Sequence, residues 1–347
     1  MINVCMRNRI VFGLFIFWIF WFSSGCQGFL IPPRDAQESR LRSAIRIHPG
    51  HELGYVRLAK YLESQRRYTE TFSVLRIGQK QIPDSIALIR LEGGLFQGLG
   101  YFSDSEKYYS TQIRKHPDEA LLHLDRAQLY WRMEKPESAL NDIQKALALM
   151  PDLFEALFFK GVILDRKTAP NLPDHSEQAL AAFIAASEID NRNPELWLRI
   201  SALWERRADM NKAKLAMLRA VELSPESKLY LRRLTVLQEK ELDHASQENS
   251  VKISEALRQT LLHMLKLFPE NSWAQAHYGN WAWTQNQFVL AEKHLGRALE
   301  LNSNYPWASF RLGVVFLSQE KWEYALFSFE EGRSEEHTSE LQSHLNL

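Results

Sequence analysis

The sequence predicts an all-α fold, an α-solenoid of stacked antiparallel helix pairs with a basic period of 34 residues. Three observations predict it. Pro49, Pro83, Pro117 and Pro151 are 34 apart each time, and the ladder continues through Asn191, Pro225, Pro269 and Ser303 at gaps of 40, 34, 44 and 34. An independent ladder of small residues runs Ala59, Gly93, Ala127, Gly161, Ser201, Thr235, Gly279 and Gly313. Both ladders lengthen at the same two places, by six and then by ten residues, which unrelated patterns would not share. Self-similarity at this period marks one helical unit per repeat, each too small to bury its apolar faces alone.

In chain order, the first element is a leader. Arg7 and Arg9 give it a positive start, Ile10 to Phe22 an apolar centre, and Ser23, Ser24 and Gly25 a small-residue cleavage region. The thirteen residues of the apolar centre reach about 20 Å as a helix, short of the roughly 30 Å hydrocarbon core of a bilayer, so a cleaved signal is expected over a spanning helix. Small residues directly before Cys26 resemble a bacterial lipobox, with Ser23 standing where that motif usually has Leu. The resemblance implies that Cys26 becomes the lipidated first residue. It also implies placement on the outer membrane facing the periplasm, because Gln27 stands where Asp would favour the inner membrane. Plain secretion and an uncleaved signal anchor are the alternatives. A linker and capping helix follow over residues 27–51, with a lone helix from Ala36 to His48 turning Leu41, Ala44 and Ile47 toward the first repeat.

The repeats then run 52–85, 86–119, 120–153, 154–193, 194–227, 228–271 and 272–305, with an eighth from Pro306 that breaks off at Gly332. Leu312-Gly313, Phe316, Ala325 and Phe329, and likewise Tyr278-Gly279, Ala291, Leu295, Ala298 and Ser303, resemble the tetratricopeptide repeat pattern. The resemblance covers Leu41 to Gly332 and implies two antiparallel helices per unit, stacked into a right-handed superhelix whose first helices line a concave groove. Small residues such as Gly161, Ala179 and Ala186 let the helices approach, and Leu157, Leu164 and Phe183 fill the space around them. Each proline ends a second helix and starts the turn into the next unit.

Two units carry insertions read as loops at the helix turn. One lies around Lys167 to Ser176, punctuated by Pro170 and Pro173; the other lies within the polar stretch Glu239 to Glu255. Either loop offers partner contacts or is a tolerated surface excursion. The last segment, 333–347, contains RSEEHTSELQS, which resembles a translated sequencing adapter and is expected to be non-native, with a polar tail as the alternative.

Composition narrows the function classes. Lys plus Arg and Asp plus Glu are equal at 42 each, and they stay equal when residues 1–26 and 333–347 are removed. A nucleic-acid binder needs a basic excess, so none is expected. The only cysteines, Cys5 and Cys26, precede the repeats, which leaves no disulfide, thiolate zinc site or cysteine nucleophile within them. HExxH, phosphate-loop and GxSxG motifs are missing. His116 and His123 are parted by Pro117, and His277 and His294 fall on different helices without a carboxylate implied by their spacing. No enzyme, metal, cofactor or small-molecule substrate is expected.

A protein or peptide partner is expected instead, with three residue sets weighed as its contacts. Trp273, Ala276, Asn280 and Trp283 share one helix face, matched one repeat later by Trp307, Phe310, Val314 and Leu317. This is more apolar surface than packing within a repeat demands; the rival account is packing between neighbouring repeats. Arg132, Arg166, Arg206 and Lys240 each follow a small-ladder residue by five, a basic row suited to an acidic peptide. The rival there is favourable placement at helix C-termini, with Asp165, Glu205 and Glu239 alongside three of them. Trp131 and Phe158 extend the apolar track between the third and fourth repeats. A Lys/Asn carboxylate clamp finds only Val56 and Lys60 in the first repeat and is not supported. The expected function is an exported, lipid-anchored scaffold, with cell-envelope assembly as its expected setting; the alternative is the substrate-recruiting part of an enzyme whose catalytic domain lies beyond Gly332.

Overall fold

The computed structural model describes residues 35–166 and 175–333. The leader with Cys26, the repeat-four insertion from Lys167 to Asp174 and the tail from Ser334 lie outside the described residues. Among those described there are seventeen helices and no strand. They fall into two compact units, one ending at Lys167 and the other beginning at Thr168.

The first unit opens with α1 (Ala36–Ile47) and continues with α2 (Glu52–Ser64), α3 (Tyr68–Gln81), α4 (Ile86–Gly98), α5 (Phe102–Lys115), α6 (Ala120–Arg132), α7 (Pro136–Leu149) and α8 (Phe154–Asp165). The second contains α9 (Ser176–Ile189), α10 (Pro194–Arg206), α11 (Met210–Leu223), α12 (Lys228–Asp243), α13 (Gln247–Leu267), α14 (Ser272–Thr284), α15 (Phe288–Leu301), α16 (Pro306–Ser318) and α17 (Trp322–Arg333). Within each unit every helix packs on the next, and α2 also meets α4, α4 meets α6, α6 meets α8 and α14 meets α16.

Local chemistry sets the helix ends. Side chains of Ser85, Asn193, Ser227 and Asn271 accept hydrogen bonds from backbone N–H groups in the first turns of α4, α10, α12 and α14. Pro136, Pro194 and Pro306 sit at the first position of α7, α10 and α16, where no N–H is missed. The turn from first to second helix is the same in six units. Arg66, Gly100, Glu134, Ala208, Asn286 and Glu320 share one register and all have φ between 57° and 81°. Around each, the next residue's N–H reaches back five residues, as from Arg67 to Leu62 and from Lys135 to Tyr130. That closes the first helix and reverses the chain. Only Gly100 is a glycine, so the sequence gives little sign of the left-handed position.

The small ladder is buried throughout. A Cβ on Gly93 would come within 2.3 Å of the Tyr109 ring, one on Gly279 within 2.8 Å of Leu295, and one on Gly313 within 2.7 Å of Phe329. The large partner occupies the same register of the second helix each time, so glycine is the condition for the close approach of that pair. In the first unit Leu58, Leu62, Leu75 and Leu88 form one core across α2, α3 and α4. In the second, Leu261, Trp281, Leu295 and Leu312 join α13 through α16.

Two expectations need correcting. The ten extra residues of repeat six form no long loop: α12 has 16 residues and α13 has 21, against 13 and 14 in α14 and α15. Only His244 to Ser246 separate α12 from α13. The stretch Glu239 to Glu255 contains neither Gly nor Pro, so nothing stops the helices, and the insertion lengthens both. The face of α1 also differs. Ala44 and Ile47 point outward, and the buried residues are Glu38, Arg42 and Ile45. Glu38 accepts from Arg42 at 2.8 Å and from Arg67 at 2.6 Å, and Arg67 reaches Glu70 at 2.5 Å. Fully paired, these charges are admitted to an inward face that an apolar stripe alone would not reveal.

Candidate functional site

Contacts between neighbouring repeats recur at a sequence distance just above the repeat length, and these decide what each predicted site residue does. Arg90 forks onto Asp125, 35 residues on, at 2.7 and 2.9 Å. Lys240 reaches Glu205 at 2.6 Å across the same interval. Trp283 donates its indole N–H to Ser318 Oγ at 3.2 Å, again 35 apart. The guanidinium of Arg166 lies 5.1 Å from the centre of the Trp131 ring.

Of the basic row, Arg132 lies 5.7 Å over Phe102, Arg166 over Trp131, and Lys240 on Glu205. These three cations are engaged with the preceding repeat. Arg206 is exposed at the end of α10. Trp131 meets Phe159 edge-on at 6.2 Å, whereas Phe158 stacks on Phe154 at 5.9 Å.

The aromatic set of the second unit is drawn together. Trp273 and Trp307 are half-buried and flank the imidazole of His277 at 3.8 and 4.8 Å between ring centres. Trp283 and Trp307 rest against the apolar core, which meets the inter-repeat packing account in part. Ala276 is buried, Asn280 and Val314 are half-buried, and Phe310 and Leu317 are 52% and 40% exposed. The rings therefore close the seam between α14 and α16 while leaving area open beside it.

Two residues not singled out from the sequence, Arg232 and Arg311, join this cluster, and Glu239 meets His277 within it. Arg232 lies 5.0 Å over Trp273, and Arg311 lies 5.4 Å over Trp307 and 5.8 Å from Trp283. Glu239 Oε1 faces His277 Nδ1 at 2.7 Å, a carboxylate partner that spacing within one repeat does not show. Glu239 and His277 are 38 apart across the repeat lengthened to 44, six short of that period, so the interval that pairs side chains elsewhere does not reveal them.

Three other buried or half-buried titratable groups, Asp142, Asp125 and His294, have side-chain partners. Asp142 takes a forked bond from Arg126 at 2.6 and 2.8 Å and lies 3.5 Å from His123. Burial pushes its acidity down, yet the bonds from Arg126 and His123 outweigh that and hold the carboxyl below its ordinary range. Burial wins at Asp125, whose carboxyl is raised despite Arg90. His294, facing Gln275 Oε1 at 2.7 Å, is lowered by burial and then by Lys293. Among the described residues no three of His, Cys, Asp and Glu gather to hold a metal ion.

Known proteins share this pattern. Residues 124–170 match the model of the tetratricopeptide repeat family. Human protein O-mannosyl-transferase TMTC3 is 21% identical over 313 residues, covering 86% of this chain and 33% of that protein. The uncharacterized protein y4yS of Sinorhizobium fredii is 28% identical over 89 residues, 26% of this chain and 49% of that one. The chain thus spans between a third and a half of the length of these curated relatives. Among solved structures, the C-terminal part of a TPR repeat-containing protein from Cytophaga hutchinsonii superposes with a TM-score of 0.56 at 12% identity, covering 74% of this chain and all of that one. That likeness is one of fold.

Proposed function

We propose that this chain, a tetratricopeptide-repeat protein, is a non-catalytic scaffold that holds a protein or peptide on the first helices of its repeats. The observation that carries the reading is the open aromatic surface of the second unit. Trp273, Trp283 and Trp307 are half-buried and Phe310 is exposed at the register that faces the groove in this family. Rigid rings with one free face are typical anchors of binding energy. Capture of partners by the full chain, compared with Phe310→Ala/Leu317→Ala, tests it. Both side chains are exposed, so the fold is expected to persist and partner recovery to fall about tenfold. Equal recovery removes this surface from the binding site.

Export and tethering at the cell envelope belong to the same proposal. They rest on the leader and on Cys26, which lie outside the described residues, and no described helix is long and apolar enough to cross a membrane. Palmitate labelling of the full chain, lost in Cys26→Ala, is the expected result. Labelling of neither form removes the lipid anchor.

A second reading is favoured by one observation, the alignment of most of this chain to a third of an O-mannosyl-transferase. Here the repeats recruit substrates for a transferase domain elsewhere in a longer protein. The reading frame around this region of the gene decides it: a catalytic domain supports recruitment, and its absence leaves the scaffold.

A further inference from the structure

The side chains that join repeats six, seven and eight form a continuous column. It runs from Arg232 on α12 over Trp273, His277 and Trp307 to Arg311, which also faces Trp283, with ring and guanidinium centres 3.8 to 5.8 Å apart. Both ends are guanidiniums. One carboxylate stands beside the column, Glu239, and it faces His277 Nδ1 at 2.7 Å.

Several between-repeat cations elsewhere have a carboxylate opposite them, while Arg132 and Arg166 lie over rings as Arg232 and Arg311 do. Arg90 has Asp125, Lys214 has Glu241, Lys240 has Glu205 and Lys321 has Glu292. No such ion pair forms at Arg232 or Arg311 among the described residues. Arg311 Nε is moreover buried without an acceptor, an unmet donor of the kind that native structures rarely tolerate without a reason. A guanidinium lying over an indole face keeps its N–H edge free and already oriented, which suits a carboxylate taken by two parallel bonds. Ordering the cation in advance lowers what binding must offset.

We propose that this column is the docking surface for an acidic stretch of the partner. Asp or Glu carboxylates fall on Arg232 and Arg311, and the intervening peptide lies against Trp273 and Trp307. The charge left uncancelled on two stacked guanidiniums selects this occupant, and the assignment rests on the scaffold reading above.

The test is selection of random dodecapeptides displayed on phage against the full chain, followed by fluorescence anisotropy of the winners. Selected peptides should carry at least two acidic residues beside an apolar one. Their affinity should drop tenfold or more in Arg232→Gln/Arg311→Gln, and similarly when their own Glu and Asp become Gln and Asn. Arg232→Lys/Arg311→Lys should lose only part, because charge remains and the planar fork does not. Circular dichroism of each variant must match the parent. Peptides that bind the Gln variant as tightly as the parent, or winners without acidic residues, overturn this assignment while leaving the scaffold reading intact. A selection that yields no binding peptide overturns both.

Discussion

At the residue scale the fold depends on matched pairs of size. The small ladder was visible in the sequence because it repeats; the partner that dictates its size was not, because that partner sits on the other helix of the pair. Gly93 faces Tyr109, and a methyl at Gly93 would overlap the ring. The first repeat has Ala59 and Leu75 at these two registers, both buried in one core. Gly93→Ala should therefore destabilise by about 1–3 kcal/mol through overpacking, and adding Tyr109→Leu should recover much of that loss by restoring the first repeat's combination. Urea midpoints of the single and double variants check this, and a double variant worse than both singles would refute the size argument. The left-handed turn position carries a second prediction. Ala208 has φ 59° and gains nothing from its methyl there. Ala208→Gly should stabilise by about 0.5–1 kcal/mol, the strain relieved exceeding the entropy that glycine adds to the unfolded chain. Asn286→Gly should gain less, since Asn tolerates this conformation. A lower urea midpoint for Ala208→Gly would show the strain to be negligible. These turns were illegible because Arg, Glu, Ala and Asn occupy them in five units out of six.

At the element scale, helix starts were legible and helix faces only partly so. Proline and small-residue ladders locate Glu52, Ile86, Ala120 and Phe154 as helix starts because turn chemistry is local and repeats. The inward face of α1 differs from the apolar stripe because two of its three buried positions are ionic, and apolar periodicity has no means of seeing a paired Glu38. Glu38→Ala should leave Arg42 and Arg67 to share Glu70 alone and cost about 2–3 kcal/mol. Faster amide exchange across α1 without change in the second unit would report it; unchanged exchange would mean that α1 is held by Ile45 alone. The pair α14 and α15 carries a pH dependence. His294 is lowered by burial, so the unfolded chain binds its proton more readily than the folded one. Its neutral form is accommodated at pH 8, and stability should fall as pH drops below about 6.5, the unfolded value. His294→Gln should flatten that part of the profile while leaving pH 8 stability within about 1 kcal/mol. A variant with the parent's slope between pH 7 and 5 would assign the effect to another group.

At the scale of the whole molecule, the even charge balance and the repeat period pointed away from nucleic acid and toward a surface that holds another chain. They could not identify which side chains stay open, because openness depends on what the next repeat places opposite. The register of Leu326 makes the point. Its counterparts are spoken for by the following first helix: Phe72 by Phe96, Glu106 by Tyr130, Lys214 by Glu241, and Glu292 by Lys321 at the following turn. Leu326 meets no following helix among the described residues and is 60% exposed, with Phe327 beside it at 62% and Trp322 at 65%. An apolar patch of this density promotes association between molecules. Residues 35–333 produced alone should therefore self-associate as concentration rises, by sedimentation velocity. Leu326→Glu/Phe327→Lys should suppress that association with a change in folding stability within about 0.5 kcal/mol, because neither side chain is part of the core and Glu already occupies the first register in two other repeats. Undiminished association in this variant would move the sticky surface away from α17, and the open aromatic faces of α14 and α16 would be the next to test.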